Sequence, residues 1–473
     1  MLHSKKTLVW FRKDLRLSDN PALWEACQQG EVLPIYILEE KERAWSLGAA
    51  QTWWLYHSLQ CLQADLRRYN TQIVLRKGNP LSILLQLAKE TDANAVFWNR
   101  CYEPQVIASD MQVQQQLQRE GIEVRSFSGN LLFDPENISN QSGSFFKVFT
   151  PFWRHCVSSQ HPRSLYPIPT IRPFEHVPQS VDIATWSSLL PQNPNWSQKF
   201  TAYWKPGERH GHQLLAAFAE KTITTYAKDR DFPSLQGTSR LSPYLHFGEL
   251  SPHQVWYKVQ EIGTGNVLGA DAERYLAEIG WREFAYHLLY HCPTLPSQPF
   301  NHKFDTFPWQ FDATLFNKWK RGMTGYPIVD AGMRELWESG WMHNRVRMVV
   351  ASFLTKHLLI PWQAGAEWFL DTLLDADLAN NAAGWQWVAG CGADAAPYFR
   401  VFNPVMQGKK FDPSGKYIRR WIPELRALPD GYIHSPWEAS SNVLAVSDVQ
   451  LGNTYPNSIV EHAFARKRAL EPV

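Results

Sequence analysis

One stretch of the sequence, Asp375–Pro404, concentrates residues that could take part in chemistry: two closely spaced carboxylates, an asparagine pair, small residues, two tryptophans and one arginine. Asp375 and Asp377 supply hydrogen-bond acceptors, and the small residues Ala382–Gly384 let the backbone approach a flat molecule. The stretch therefore predicts the floor of a cofactor site. The alternative is a tight loop between helices, with its tryptophans packed in the core.

A second cluster has the composition of a phosphate site. Tyr226 is followed by Thr238–Ser242, which reads TSRLS. Hydroxyl groups, backbone N–H groups at a predicted helix start and the fixed positive charge of Arg240 would converge on a pyrophosphate. An ordinary helix N-cap beside a surface arginine is the alternative.

A third set could hold an extruded base. Glu278 and Trp281 are three residues apart, so they share one face of a helix, and Trp387 comes from the first stretch. Two indole rings could stack on the faces of a base pair while the carboxyl group bonds its polar edge. For any single tryptophan, core packing is the more common explanation.

Composition limits the class of protein. A chain of 473 residues with a net charge of +2 is expected to form two or three domains, and any DNA partner must bind a local basic patch. The six cysteines include no CxxC pair, which argues against a metal site or a disulfide framework and fits a reducing cytoplasm. No apolar run suits a signal peptide or a membrane span, so we expect a soluble intracellular protein.

The order of elements predicts two kinds of structure. Short strand-like runs (TLVWF, VLPIYIL, QIVLR, AVFW, IEVRSF) alternate with helical segments over the first 127 residues, which indicates a doubly wound parallel α/β sheet. No Gly-rich fingerprint follows the first strand, so a dinucleotide dehydrogenase is not expected. After a Pro-rich stretch, helical periodicity dominates. The predicted domains are an α/β domain at 1–130, a linker at 131–205 and an all-helical domain at 206–473.

Five segments, in order, resemble the signature sequences of the photolyase/cryptochrome family. They are LVWFRKDLRLSDNPAL (Leu8–Leu23), GTSRLSPYLHFGELSP (Gly237–Pro252), EIGWREF (Glu278–Phe284), TGYPIVDAGMRELWESGWMHNRVRM (Thr324–Met348) and the Asp375–Pro404 stretch. The segment FKVFTPFW (Phe146–Trp153) also resembles the family's segment that leads out of the first domain. A single motif would be weak evidence, whereas five in order are specific.

The resemblance implies FAD as cofactor and assigns residues to it. The implied FAD-binding set is Tyr226, Thr238, Ser239, Arg240, Leu241, Ser242, Arg282, Trp341, Asn344, Arg347, Asp375, Ala376, Asp377 and Asn381. Asn381 matches the position that faces flavin N5, where most plant cryptochromes carry Asp. A neutral amide accommodates a reduced, anionic flavin without adding a second buried negative charge, which favours DNA repair.

The resemblance also implies a DNA site and an electron relay. The implied DNA-binding residues are Arg230, Glu278, Trp281, Asn344, Arg345, Trp387 and Arg400. Met348 matches a position at which cyclobutane-dimer enzymes carry Met, and Asn344 stands where (6-4) enzymes need a second His. Trp309, Trp362 and Trp385 match the tryptophan triad that relays electrons to the photoexcited flavin. The residues expected to take part in the reaction are this triad together with Glu278, Asn381 and Met348.

For the antenna chromophore the resemblance leaves a choice. Many folate-binding members place Asn-Glu shortly after Tyr-Glu, whereas this chain reads YEPQV (Tyr102–Val106). The segments SLGAAQTWWLYHSL and WNRCYEP resemble the photolyase subclass nearest to plant cryptochromes, which implies 5,10-methenyltetrahydrofolate in a shifted pocket. A deazaflavin, or no antenna, is the alternative.

The expected function is light-driven repair of cyclobutane pyrimidine dimers in DNA by a monomeric cytoplasmic enzyme that needs no metal and no membrane. Two alternatives follow from the same resemblance: a blue-light photoreceptor of the cryptochrome type, and a DNA-binding flavoprotein without photochemistry.

Overall fold

The computed structural model describes residues 5–39, 47–192, 194–263, 269–398 and 400–471. The chain forms two compact units. The first unit comprises Met1–Ser197, Trp204–Lys221 and Ser239–Pro293, and the second comprises Gln198–Tyr203, Thr222–Thr238 and Thr294–Val473. Because the chain passes between the units several times, their bounds do not follow the linear division into 1–130, 131–205 and 206–473. That division stays a prediction about domains.

A single five-stranded parallel sheet lies in the first unit, in the order β3-β2-β1-β4-β5. Every residue of β1 from Thr7 to Phe11 is buried, as expected for a parallel strand covered on both faces. The strands confirm the five predicted runs: β1 (Lys5–Phe11), β2 (Gly30–Leu38), β3 (Val74–Lys77), β4 (Ala95–Asn99) and β5 (Glu123–Phe127).

Four helices connect the strands, and their first residues explain where they begin. Pro21, Pro80 and Pro104 occupy first-turn positions, where a missing N–H costs nothing. The side chains of Asn20 and Asn79 cap α1 and α3 by accepting backbone N–H bonds. The helices are α1 (Pro21–Gln29), α2 (Ala49–Arg67), α3 (Pro80–Thr91) and α4 (Pro104–Arg119).

Polar side chains of the protein itself occupy the crevice where β1 and β4 end, the place at which this strand order usually binds nucleotides. Asp14 accepts hydrogen bonds from the Arg12 backbone N–H and from Asn99 Nδ2, both at 2.6 Å. The Arg12 guanidinium bonds the Asn99 carbonyl at 2.6 Å and pairs with Asp110 at 2.7 Å. This network agrees with the absence of a Gly-rich phosphate loop in the sequence.

After residue 206 the regular secondary structure of the described chain is helical, apart from an isolated bridge between Leu451 and Tyr455. The predicted helical character is therefore confirmed. No helix in the described ranges is long and apolar enough to span a bilayer. The α-helices that follow β5 are α5 (Phe149–Ser159), α6 (Glu208–Ala217), α7 (Tyr226–Asp229), α8 (Ser242–His246), α9 (Pro252–Gln260), α10 (Ala270–His291), α11 (Ala313–Lys320), α12 (Pro327–Ser339), α13 (Asn344–Ser352), α14 (Trp362–Thr372), α15 (Leu378–Ala389), α16 (Pro404–Phe411), α17 (Lys416–Trp421), α18 (Ser441–Val446) and α19 (His462–Leu470).

A buried carboxyl group organises the core of the second unit. Asp330, in the first turn of α12, accepts hydrogen bonds from the backbone N–H and hydroxyl of Thr324, from the Gly325 N–H and from the Tyr455 hydroxyl, at 2.6–2.9 Å. Gly325 has φ +79°, and an added Cβ would lie 2.5 Å from the backbone of Asn457. The TGYP turn is thus locked between α12 and a distant segment of the chain.

A lysine lies inside the second unit, and none of the carboxylates that the structure describes pairs with it. Lys356 is 1% exposed, and its Nζ donates to the Tyr398 carbonyl at 2.8 Å and lies 3.8 Å from the centre of the Tyr398 ring. Burial disfavours the charged ammonium and lowers the pKa of Lys356 to about 7, from an ordinary value of 10.5. Stability of this unit should therefore depend on pH.

We expect the free energy of unfolding to rise between about pH 7 and about pH 9, by roughly 1–2 kcal/mol, because the unfolded chain holds the Lys356 proton after the folded chain has lost it. Lys356→Met removes the titrating group. The free energy of unfolding of this variant, relative to that of the parent, should therefore fall as the pH rises over the same range. Chemical denaturation at several pH values measures the difference. Lys318→Met, at an exposed lysine of the same unit, serves as the control. Parallel profiles for the parent and Lys356→Met would contradict the interpretation.

Candidate functional site

In the second unit, the start of α15 brings the two predicted carboxylates together. The Asp377 side chain caps the helix by accepting the Asn380 N–H at 2.9 Å, and the Asp377 N–H bonds the Asp375 carbonyl at 2.7 Å. Both carboxylates are nearly buried, at 8% and 6% exposure for Asp375 and Asp377. Their local order therefore comes from the DADLANN sequence itself.

Asp375 is only half satisfied. Its Oδ2 accepts a hydrogen bond from Arg347 Nη2 at 2.8 Å, while the buried Oδ1 has no donor among the described residues. Arg347 is held by a second bond, from Nε to the Met342 carbonyl at 2.7 Å. Because a buried carboxylate oxygen without a donor is costly, a bound molecule with an N–H or O–H group fits this position. A flavin ring or its ribityl chain supplies such groups.

Asn381 presents an oxygen to its surroundings. Its Nδ2 donates to the Ala366 carbonyl at 3.0 Å, one helix away on α14, which leaves Oδ1 as an acceptor on a partly exposed side chain. Ala382, by contrast, is 3% exposed and belongs to the packed core, and a Cβ added at Gly384 would meet no atom within 4 Å. Ala382 therefore packs in the core, whereas the space beside the Gly384 backbone is open.

The HNR sequence forms the start of α13. His343 is the N-cap, and its Nδ1 accepts the Arg345 N–H at 3.2 Å. Burial lowers the pKa of His343 to about 4, so the ring is neutral at physiological pH. Asn344 is exposed, whereas the Arg345 guanidinium pairs with Asp231 at 2.7 Å and contacts the Met348 sulfur at 3.8 Å.

Three predicted DNA-binding residues of this unit, Arg230, Trp387 and Arg400, are partly or fully accessible. The Arg230 guanidinium lies 5.3 Å from the centre of the Tyr226 ring. Trp387 is half-buried, and its carbonyl accepts the Ala396 N–H at 3.2 Å. Arg400 is exposed, with its guanidinium 5.8 Å from the Phe402 ring.

The three tryptophans predicted to relay electrons share one apolar cluster of the second unit. Trp385 and Trp362 are 2% and 1% exposed, whereas Trp309 is partly exposed and packs on Phe307 with ring centres 4.4 Å apart. Two of the three indoles are therefore buried, and the third is partly exposed.

Ser239–Ser242 of the TSRLS segment lie in the first unit, whereas Thr238 lies in the second. Ser242 begins α8, a helix of five residues, so its contribution to anion binding is smaller than that of a long helix. Arg240 has a left-handed backbone, φ +53°, and its guanidinium lies 4.2 Å from the Trp204 ring centre. The Ser239 hydroxyl accepts a bond from the Tyr275 hydroxyl at 3.1 Å.

Helix α10 carries the other predicted residues of the first unit. Glu278 and Trp281 are partly exposed on one face, as their spacing predicted, and Glu278 pairs with Arg274 at 3.4 Å. Arg282 is tied back to the protein, because its guanidinium bonds Glu283 and the Asn130 carbonyl, both at 2.9 Å. Burial raises the pKa of Glu283 to about 7, against the stabilising effect of Arg282.

The structure thus divides the predicted FAD residues between the units. The first unit holds Ser239, Arg240, Leu241, Ser242 and Arg282, and the second holds Tyr226, Thr238, Trp341, Asn344, Arg347, Asp375, Ala376, Asp377 and Asn381. Sequence reasoning missed Asp231 as the partner of Arg345 and Phe149 as the ring stacked on Trp281. The resemblance of FKVFTPFW to a family segment was the sequence feature that could have drawn attention to Phe149. Within the described ranges, no group of three or more His, Cys, Asp or Glu could hold a metal ion.

Comparison with known proteins gives consistent matches. Residues 7–173 match the family described as DNA photolyase, and residues 275–473 match the FAD binding domain of DNA photolyase. A deoxyribodipyrimidine photo-lyase of Agrobacterium fabrum is 49% identical over 99% of this chain and 98% of the relative. Cryptochrome-2 of Arabidopsis thaliana is 38% identical over 99% of this chain and 78% of the relative.

A solved structure extends the likeness to the fold. The class III photolyase of Agrobacterium tumefaciens superposes with a TM-score of 0.96 at 48% identity, over 100% of this chain and 97% of that chain. The chain belongs to the photolyase/cryptochrome family, and its helical part to the FAD-binding domain of that family.

We expect Asp375→Asn to weaken FAD binding by about tenfold or more, because it removes the negative charge that fixes Arg347 and changes the acceptor offered to the ligand. The FAD content of the purified chain and titration of the apoprotein with FAD measure the effect. Asp371→Asn, at an exposed carboxylate of the neighbouring turn, is the matched control. Equal FAD affinity of both variants and the parent would exclude Asp375 from the cofactor site.

Proposed function

We propose that this chain repairs cyclobutane pyrimidine dimers in DNA with light absorbed by bound, reduced FAD. The observation that carries the proposal is the half-satisfied Asp375 beside Arg347 in a chain that is 49% identical, over nearly its whole length, to a deoxyribodipyrimidine photo-lyase. When bound, photoexcited reduced FAD supplies an electron to the dimer and accepts it back after the cyclobutane ring opens. The protein supplies position and electrostatics.

The proposed flavin site depends on charge balance. Arg347 offsets the charge of Asp375, and Asn381 adds an amide oxygen rather than a further carboxylate. The neutral amide of Asn381 therefore adds no negative charge to those of Asp375 and Asp377 beside a reduced, anionic ring. Trp341, whose ring centre lies 5.9 Å from the Arg347 guanidinium, completes an apolar wall.

The phosphate end of FAD is proposed to bind the TSRLS segment. The hydroxyls of Ser239 and Ser242 donate to phosphate oxygens, and Arg240 contributes a fixed charge held against Trp204. Tyr226, Thr238, Leu241 and Arg282 are proposed to bind other parts of the cofactor.

The lesion is proposed to stack on Trp281 and Trp387 after extrusion from the duplex, as photolyases require. Glu278 is proposed to bond the polar edge of the pyrimidines, and Met348 and Asn344 are proposed to take part in lesion binding. The partly exposed state of Trp281 and Trp387 supports this role, because a fully buried indole could not stack on a base.

Arg230, Arg345 and Arg400 are proposed to contact DNA phosphates. Exposure supports Arg400, whereas Arg345 must exchange its pairing with Asp231 for a phosphate oxygen. That exchange makes the contribution of Arg345 smaller than that of an unpaired arginine.

Three further features are proposed from the family resemblance. The chain is a monomer, it acts in the cytoplasm, and it binds 5,10-methenyltetrahydrofolate as an antenna, with a deazaflavin as the alternative. All six cysteines are unpaired in the structure, which supports a reducing compartment. The predicted antenna segment SLGAAQTWWLYHSL begins α2, where Trp53 and Trp54 are buried.

A blue-light photoreceptor of the cryptochrome type is the second candidate, because Cryptochrome-2 is 38% identical over nearly the whole chain. Asn381 argues against a photoreceptor, because it is neutral where most plant cryptochromes carry a charged Asp. A repair assay distinguishes the two functions.

We expect the chain to open dimers in a synthetic oligonucleotide under blue light and not in the dark. Trp281→Ala should weaken binding to dimer-containing duplex by about 5- to 100-fold, the effect of losing one stacking ring, with a much smaller effect on undamaged duplex. Fluorescence anisotropy with both DNAs measures the ratio. Absence of light-dependent repair by the flavin-loaded parent would exclude the proposed enzyme, and equal losses on both DNAs would make Trp281 a packing residue.

Trp385→Phe should block photoreduction of oxidised FAD by an external reductant, since Phe is far harder to oxidise and would interrupt the relay. Repair should persist after chemical reduction with dithionite, because dimer opening then needs no electron from tryptophan. Absorbance during illumination, followed by the repair assay, tests both statements. Normal photoreduction would remove Trp385 from the relay, and lost repair in the prereduced variant would give it a role in site geometry instead.

A further inference from the structure

Aromatic side chains of α5 pack along α10, the helix that carries Glu278, Trp281 and Arg282. Phe149, at the first position of α5, stacks on Trp281 with ring centres 3.9 Å apart and planes 10° apart. Three residues later, Phe152 contacts Phe284 at 5.2 Å. The FKVFTPFW segment, to which the expected chemistry assigned no role, is therefore part of the support of α10.

Trp281 is covered on one side. Among the described residues, Phe149 and Phe284 are the rings that contact it, and Phe284 meets it edge-on at 5.9 Å and 76°. The indole is nevertheless partly exposed. One face is therefore stacked on Phe149, so a flat ligand would have to stack on the opposite face.

The covering ring is itself held in place. Phe149 is 8% exposed, and Trp153 lies beyond it in nearly the same orientation, at 6.4 Å and 11°. Trp153 in turn fits against the α10 backbone at Gly280, where an added Cβ would lie 2.5 Å from Trp153 Cε3. Phe149 is therefore packed against Trp153 as well as Trp281.

We infer that Phe149 is a positioning residue for lesion recognition, which holds the Trp281 indole so that its free face stacks on an extruded pyrimidine. The inference rests on the proposed function and adds a residue to it. A tryptophan that is already immobilised loses less side-chain entropy when the base binds than one that is free to rotate. Phe149 thereby contributes to affinity for the lesion without touching the DNA.

Phe149→Leu keeps apolar volume but removes the stacked ring, and it should weaken binding to dimer-containing duplex by about two- to tenfold, the range for one aromatic pair. Binding to undamaged duplex and FAD content should stay as in the parent. Phe152→Leu is the matched control, because Phe152 lies on the same helix, is fully buried and contacts Phe284 rather than Trp281. It should leave the ratio of the two affinities unchanged.

A double-mutant cycle isolates the route of the effect. If Phe149 acts through Trp281, Phe149→Leu should have no further effect on lesion affinity in the Trp281→Ala background. Additive losses, or an unchanged lesion affinity in Phe149→Leu, would overturn the inference. If Phe149→Leu fails to fold, Phe149→Met repeats the test with a flexible side chain.

The outcome for Trp281 alone separates the two proposals. A Trp281→Ala variant that binds the lesion as tightly as the parent would reject the proposed lesion site itself. A weakened Trp281→Ala together with an unaffected Phe149→Leu would reject only the positioning role of Phe149.

Discussion

The ion pair between Arg347 and Asp375 is the interaction on which the candidate site depends. It joins α13 to the segment that precedes α15, and it is incomplete, because one carboxylate oxygen has a donor and the other does not. In a folded chain nearly all buried polar atoms are paired, so such an atom is more costly than a missing surface contact. Among the described residues no donor reaches this oxygen, and we propose that the cofactor provides the missing partner. Under that proposal, binding of FAD and stability of the second unit are linked.

Some positive charges of the candidate site are neutralised by carboxylates of the protein itself. Several arginines expected to meet phosphates or flavin already bond to carboxylates of their own unit, as Arg345 does with Asp231 and Arg282 with Glu283. A chain with a net charge of +2 has little excess positive charge to steer it towards DNA. Selective binding must then come largely from shape and stacking at the extruded bases, with phosphates replacing carboxylates as partners.

Much of the fold and part of the site could be predicted from the sequence. Strands β1, β2 and β4 were predictable because each is an apolar run of the length that a buried parallel strand requires, and the less apolar β3 and β5 because they continue the alternation with helical segments. The pairing of Phe149 with Trp281 was not, since it joins positions 132 residues apart (281 minus 149) and local periodicity contains no information about such contacts. The interleaving of the two units is invisible for the same reason, as is α5 within the predicted linker. Side-chain hydrogen bonding could not be predicted either. The sequence predicts an acceptor at Asp375, but only the structure identifies which of its two oxygens lacks a donor.

The buried carboxyl of Asp330 has a consequence for how the protein is made. Its bond to the Tyr455 hydroxyl spans 125 residues, and nearby the Ile459 N–H bonds the Thr324 carbonyl and the Tyr326 hydroxyl bonds the Val460 carbonyl. Until residues 455–460 have emerged from the ribosome, the TGYP turn and α12 lack several of their hydrogen bonds. The second unit can therefore complete its core only after that segment has been synthesised, whereas the β-sheet, whose strands all lie before residue 128, can assemble much earlier.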